Sequence, residues 1–446
     1  MLARPIALLT LLLAAPLAAT PRPTPAEFEE AFLQSLATST RPAVCFAPGT
    51  SSDYIEHLTR LYGSGSDPLF QTGDGGHSKF RFANRWSATA TDGGGLLQGD
   101  PTTLTWSYIP DGTNIPGQIG EPSSASSLFA WLNGIYGNQN AWHQVFVQVF
   151  TRWSQLTGIR YVYQPTDDGA AMFSSPGVLG VRGDVRIGAH FIDGNSNVLA
   201  YNFFPNGGDM VLDANDSFFS NTGTSSLRLR NVAAHEHGHG LGFNHVCPVN
   251  ATKLMEPFVT LTFDGPQHDD ILAGQRGYGD TLDFDLNDTA GSATVLGDPT
   301  VGSITVNDVS IDDNADVDYY RFTVTGATSV SATVTPIGFT YLEGPQNNDG
   351  SCTAGTNFNS LVLNDLGVSL VDTNGTTVLT TANVNPAGTA ETATFALPGA
   401  GNYYVRVFGG SSDNVQLYRL DLAASNFIFG DGFETGNTGA WGLVFP

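Results

Sequence analysis

His235-Glu236-His237-Gly238-His239-Gly240-Leu241-Gly242-Phe243-Asn244-His245 governs the reading of this chain, because three of its four histidines are spaced to meet on one metal ion. In a helix beginning near Asn231, residues four apart stand one above the other, so His235 and His239 leave the same face. His237 points the opposite way. Glu236 lies about 100° round the helix from His235, where a long carboxylate can lean over a metal without binding it. Gly242 lets the helix end in a backbone conformation that other residues resist, and the chain can then return His245 as a third imidazole. The form is H-E-x-x-H-x-x-G-x-x-H, far more specific than H-E-x-x-H alone.

At 446 residues the chain is long for one core and suits two domains with processing segments. Residues 1–19 set Arg4 before an apolar run from Ile6 to Ala15, followed by Ala18 and Ala19. That reads as a cleaved secretory signal, too short and alanine-rich for a convincing span, with a retained anchor as the alternative. No later stretch is apolar enough to cross a bilayer. The 42 acidic against 18 basic residues give a formal charge of −24, which repels phosphate backbones and argues against nucleic-acid partners. The same excess suits a soluble exported protein with oxygen-rich cation sites. Cys45, Cys247 and Cys352 are the only cysteines, so at least one cannot pair within the chain.

Residues 20–79 read as a propeptide or N-terminal extension, with helical patterns at 25–38 and 54–62 and a glycine-rich linker at 63–76; the alternative is part of the folded domain. A domain at 80–282 follows. Leu104-Thr105-Trp106-Ser107-Tyr108 is strand-like, and Trp142, Val145, Phe146, Val149, Phe150, Trp153 and Leu156 recur at helical steps until Gly158, a natural cap. Strands are expected at 159–163 and 185–192. From 283 to 425 helical signals vanish, and short alternating runs at 319–325, 329–335, 367–372, 376–381 and 403–408 predict an antiparallel β-sandwich. Residues 426–446 form a tail. The fold class expected is α+β followed by an all-β domain.

Three neutral imidazoles with an open fourth position suit a catalytic zinc ion, which lowers the pKa of bound water to about 7. Glu236 could then take the water's proton and return it to a leaving amine. A metal site without catalysis, or histidines merely packed in a helix, is the plainer alternative. His57, His77 and His143 have no partner spacing, and they and His237 are expected to be surface or packing residues.

Over roughly 86–279 the sequence resembles the metzincin metalloproteases, and within them the matrixins. Lys253-Leu254-Met255-Glu256-Pro257 is similar to the matrixin Met-turn, which implies that Met255 lies beneath the metal. Leu199-Ala200-Tyr201-Asn202-Phe203-Phe204-Pro205 resembles the edge strand above the matrixin cleft, where extended substrate pairs. The likeness assigns Leu199, Ala200, Pro257 and Phe258 to that cleft, and His268-Asp269-Asp270-Ile271 to the closing helix. It implies a twisted mixed sheet with long helices. Asp193 and Gly194, with Ser196 and Val198 as carbonyl donors and Asp213 and Asp216 as later carboxylates, match the family's calcium loop; an ordinary polar turn is the alternative. The family's structural zinc site looks lost, since Arg186, Gly188, Tyr201 and Val211 stand where its ligands would be and His190 alone cannot replace them; calcium and packing should then hold the loop.

In a matrixin an upstream thiolate can close the zinc's open position, which makes Cys45 a candidate for latency, although Arg41-Pro42-Ala43-Val44-Cys45-Phe46 lacks the usual switch motif. A disulfide from Cys45 to Cys247 is the competing reading. Asp316-Val317-Asp318-Tyr319-Tyr320-Arg321-Phe322 and Gly401-Asn402-Tyr403-Tyr404-Val405-Arg406-Val407 resemble bacterial pre-peptidase C-terminal domains, implying secretion, removal during maturation or substrate attachment. Asp312, Asp313, Asp316 and Asp318 read as an acidic turn, with calcium binding as the alternative. The whole predicts a secreted, extracellular zinc endopeptidase, monomeric, acting on protein or peptide substrates, with no membrane span. A non-catalytic matrix or surface binding protein is the alternative.

Overall fold

Runs of apolar and β-branched residues, most of them buried on both faces, supply the first domain's sheet. In the computed structural model, which describes residues 41–62, 82–409 and 414–425, these are β1 (Ala43–Phe46), β2 (Thr102–Tyr108), β3 (Ile159–Tyr163), β4 (Val185–His190), β5 (Val198–Asn202) and β6 (Met210–Asp213). The sheet order is β1-β5-β6-β4-β2-β3. Strands β6, β4, β2 and β3 run parallel to one another, and β5 and β1 are added antiparallel at one edge. β2, β4, β5 and β6 are buried throughout, as expected of strands covered on both faces. The expected signal, the helix at 25–38, the linker at 63–76, His77 and the tail at 426–446 lie outside the described residues.

Helices α1 (Ser52–Tyr62), α2 (Leu128–Tyr136), α3 (Gln139–Ser154), α4 (Gly223–Gly240) and α5 (His268–Tyr278) complete this domain. The six residues predicted from Trp142 to Trp153 are the buried stripe of α3, and the Asn138 side chain caps it by accepting from Ala141 N. α3 ends earlier than Gly158 suggested: Gln155 is its C-cap. Gly158 instead allows close packing, because a Cβ there would lie 2.1 Å from Tyr278 O. α2 escaped the sequence reading because only Leu128 and Leu132 are buried along it, too few to mark a period.

The C-terminal region is β-rich. One sheet has the order β8 (Thr294–Gly297), β10 (Val317–Val324), β17 (Gly401–Phe408), β14 (Gly367–Val371), β15 (Val378–Ala382). The other has the order β9 (Ile304–Ile311), β18 (Gln416–Ser425), β11 (Thr328–Pro336), β16 (Glu391–Leu397). Tyr320, Phe322 and Val324 alternate inward from β10, and Val330, Ala332 and Val334 from β11, into one core. All pairs are antiparallel except β8 with β10, which is parallel. The acidic turn is not simply solvated. Asp318 faces inward and is buried, and its carboxylate lies with those of Asp280 and Asp283 within 4.8 Å of one another.

The two regions are joined by more than the chain. A three-stranded sheet, β7 (Val246–Cys247), β12 (Thr340–Pro345) and β13 (Thr356–Asn359), crosses the junction, and a Cys247–Cys352 disulfide closes over it. Phe358, Leu363, Val415 and Leu417 are buried in the same core as the helices and sheet of the first domain. Tyr341 OH donates to Asp269, and His268 Nε2 lies 2.8 Å from Ser360 Oγ.

Candidate metal centre and cleft

The regular part of α4 follows three residues, Thr224, Ser225 and Ser226, held at left-handed φ of 52°, 52° and 63°. It carries His235 and His239 on one face, as the spacing predicts. Gly242 turns the chain with φ 100°, and a Cβ there would stand 1.8 Å from Asn84 O, so glycine is required. The turn brings His245 back. The three Nε2 atoms converge at 3.1 Å (His235 to His239), 3.2 Å (His235 to His245) and 3.1 Å (His239 to His245).

Each ring also faces an oxygen acceptor through Nδ1. His235 donates to Leu254 O at 2.7 Å, His239 to Phe243 O at 2.6 Å and His245 to Gln346 Oε1 at 2.7 Å. With the proton on Nδ1, each neutral ring leaves a bare lone pair on Nε2. Burial, and then the neighbouring rings, drive His239 well below the usual histidine range, and burial pushes His235 down to about 4 and His245 to about 3. Three lone pairs converging in a buried pocket repel unless a cation stands between them. The donor set fits zinc, for which tetrahedral bonds of about 2.0–2.1 Å put ligand nitrogens about 3.3 Å apart.

Glu236 is fully buried; neither carboxylate oxygen has an N–H or O–H partner among the described residues, and the Cys45 thiol faces it. Burial raises its carboxyl well above the ordinary range. Met255 packs beneath: a Cβ on Gly238 would lie 2.4 Å from its Sδ. The turn bearing it is pinned by Asp270, whose carboxylate accepts from Leu254 N at 2.8 Å and Met255 N at 3.1 Å. This role of Asp270 was not read from sequence, though its place three residues after Gln267 marks the capping box found there.

The expected edge strand, β5, and the expected wall segment, Pro257 to Val259, both lie against β1. β1 lies between them, antiparallel to β5 with Cys45 opposite Ala200, while Phe46 N donates to Pro257 O at 3.2 Å and Val259 N to Phe46 O at 3.1 Å. Val44 and Phe46 pack with Val198 and Tyr201 against one side of the cleft, and Phe258 stands 6.1 Å from the Phe46 ring. By strand alternation Cys45 faces the other way, toward the metal centre. Its Sγ lies within 4.8 Å of ligand atoms of both His235 and Glu236. Burial, then the Glu236 charge, pushes the thiol up. The alternative pairing of Cys45 with Cys247 is overturned: Cys247 bonds Cys352 and Cys45 is free.

The other assignments divide. Asp213 accepts from Asp193 N at 3.1 Å and Gly194 N at 2.8 Å, Asp216 from Ser196 N at 3.0 Å, and Asp193 from Val198 N at 3.3 Å and from Tyr54 OH, so all six loop residues are drawn together. Asp193 keeps one buried oxygen without a partner, and burial raises its carboxyl to about 6. Where the family's structural zinc would sit, Arg186 forms a buried two-pronged ion pair with Asp167 at 2.7 and 2.8 Å and binds the carbonyls of Ala170 and Ala171. That ion pair, missed in the sequence, ties the loop to the sheet. His143 packs on Trp106, 5.5 Å between rings, and His57 is exposed. His237 is no surface residue. It is buried, with Tyr161 OH 2.7 Å from its Nε2.

Fold and centre together define an α+β domain built round three converging histidines that could hold a metal ion. Residues 134–279 match the family model described as Matrixin. Interstitial collagenase of Equus caballus is 34% identical over 140 residues, covering 30% of this chain and 28% of the relative. Matrix metalloproteinase-18 of Xenopus laevis is 33% identical over 141 residues, covering 30% of this chain and 27% of the relative. The chain thus spans less than a third of the length of these curated relatives. Among solved structures, the pre-peptidase C-terminal domain of a collagenase from Bacillus anthracis aligns with 30% of this chain and 94% of its own, at 16% identity and a TM-score of 0.19. Among the described residues no helix is long and apolar enough to cross a membrane.

Proposed function

We propose that the chain is a secreted zinc-dependent endopeptidase kept latent by its own N-terminal strand. The activity rests on one observation, the convergence of three Nε2 lone pairs beside the buried carboxyl group of Glu236. His235, His239 and His245 would hold the ion. Zinc bound there polarises a carbonyl and lowers the pKa of water to about 7. Glu236 would take a proton from the attacking water and return it to the leaving nitrogen. Leu199, Ala200, Pro257 and Phe258 present the backbone and wall against which an extended peptide pairs, as β1 pairs now.

Latency draws support from the same strand. β1 fills the cleft in which that peptide would lie, with Cys45 turned toward His235 and Glu236. Residues 20–79 would then be the propeptide. The Cys247–Cys352 bridge supports secretion, since disulfides persist in oxidising compartments. Calcium would brace the loop of Asp193, Gly194, Ser196, Val198, Asp213 and Asp216. We read the C-terminal region as a pre-peptidase-type β-sandwich retained in the mature protein, because it shares a core with the first domain.

The test is cleavage of casein or gelatin by the purified protein, trimmed of its N-terminal segment, with and without a zinc chelator. Chelator-sensitive cleavage is expected, and Glu236→Ala should abolish it while zinc stays bound. Unchanged turnover in Glu236→Ala would sink the mechanism. No cleavage by the trimmed protein would favour a non-catalytic binding protein instead.

A further inference from the structure

We propose that Gln346, carried by the C-terminal β-region, is a positioning residue for the third imidazole of the metal centre, so that this region completes the centre. The proposal rests on the reading of His235, His239 and His245 as a zinc site. The three rings are not oriented alike. His235 and His239 donate to main-chain carbonyls of their own domain, Leu254 and Phe243. The acceptor facing His245 Nδ1 is a side chain 101 residues downstream, in the other region.

That side chain is fixed on every side. Gln346 Nε2 donates to Gly350 O at 2.8 Å, which leaves Oε1 as the end that faces His245. Gln346 is 2% exposed. It bridges to Cys352, and Cys352 is bonded to Cys247, two residues beyond His245. Just before it, Pro345 and Gly344 pair with Val246 and Cys247. Ligand and acceptor are therefore held in one small clamp of paired backbone and disulfide. An acceptor at Nδ1 sets the tautomer that exposes Nε2, fixes the ring's angle and raises its basicity, all of which strengthen metal binding.

The test compares the full-length chain with Gln346→Ala, Gln346→Met and Gln346→Glu. Zinc affinity is measured by competition with a chromophoric chelator, and the absorption bands of the cobalt(II)-substituted protein report ligand geometry. Removing the acceptor should weaken zinc binding by about 10–100-fold and shift the cobalt bands. Gln346→Glu keeps an oxygen toward Nδ1 but turns its second oxygen on Gly350 O, so it should return both partway toward wild type. Gln346→Met preserves the volume and carries the same expectation if Gln346→Ala does not fold. Wild-type zinc affinity in Gln346→Met would overturn the proposal. A chain trimmed of its N-terminal segment that binds zinc but cleaves nothing would defeat the proposed activity and leave this proposal standing.

Discussion

Two segments from outside residues 82–282 reach the three-histidine cluster, and they are attached in opposite ways. β1 arrives from the N-terminal side and is held by backbone pairing with β5 and the wall segment and by apolar contacts of Val44 and Phe46, with no covalent bond. The stretch bearing Gln346 arrives from the C-terminal side and is held by a disulfide, a short sheet and a shared core. Burial does not distinguish them, since Cys45 is 0% and Gln346 2% exposed. What differs is the attachment. A strand on a sheet edge can be exchanged for another peptide offering the same backbone groups, whereas the C-terminal brace can leave only if a covalent bond breaks and a core opens.

The largest effect should come from removing the strand. Cutting after residue 62 and separating the N-terminal piece should raise turnover of a peptide substrate at least about a hundredfold, since burying side chains such as Val44 and Phe46 is worth roughly 1.5–3 kcal/mol each. An uncut chain as active as the cut one would erase the contrast between plug and brace. Next comes the brace itself. Cys352→Ser frees the link between positions 105 residues apart and should cost roughly 2–5 kcal/mol of stability in urea unfolding, against about 1 kcal/mol for Cys45→Ala. Equal losses would show that the two attachments are alike.

The smallest effect concerns pH. Burial, then Asp270, raises the Asp269 carboxyl to about 7, with the Tyr341 hydroxyl pulling it partly back. Its folded pKa exceeds the unfolded value of about 3.9, so its stabilising contribution is full below about pH 4 and is lost as pH rises through about 7. Melting temperature should therefore fall between about pH 4 and 7 and level off above that, and the fall should be shallower in Asp269→Asn, which still accepts from Tyr341. An unchanged slope would mean that the junction is indifferent to this carboxyl.

Local spacing made the centre's inner parts legible. His235, Glu236, His239, Gly242 and His245 lie on one helix and one turn, so the period of the helix places them without tertiary knowledge. α3 was legible for the same reason, through its apolar stripe. Partners drawn from distant sequence carried no such signal. Gln346, Asp270 and the Arg186–Asp167 pair gain their roles from surroundings assembled by the fold. The choice among three cysteines was likewise undecided until the junction placed Cys352 beside Cys247. β1, of four residues, is too short for alternation to stand out, and β18 shows Tyr418, Leu420 and Leu422 in alternation but blurs it by also burying Gln416 and Leu417.

The downstream position of Gln346 has a consequence for the order in which the molecule comes into being. A ribosome releases β1 long before α4, and α4 long before residue 346. During synthesis the segment that covers the cleft is therefore available first, while His245 faces its Gln346 acceptor only after about three-quarters of the chain has emerged. Everything that covers the centre is thus outside the ribosome before the centre's last piece is made.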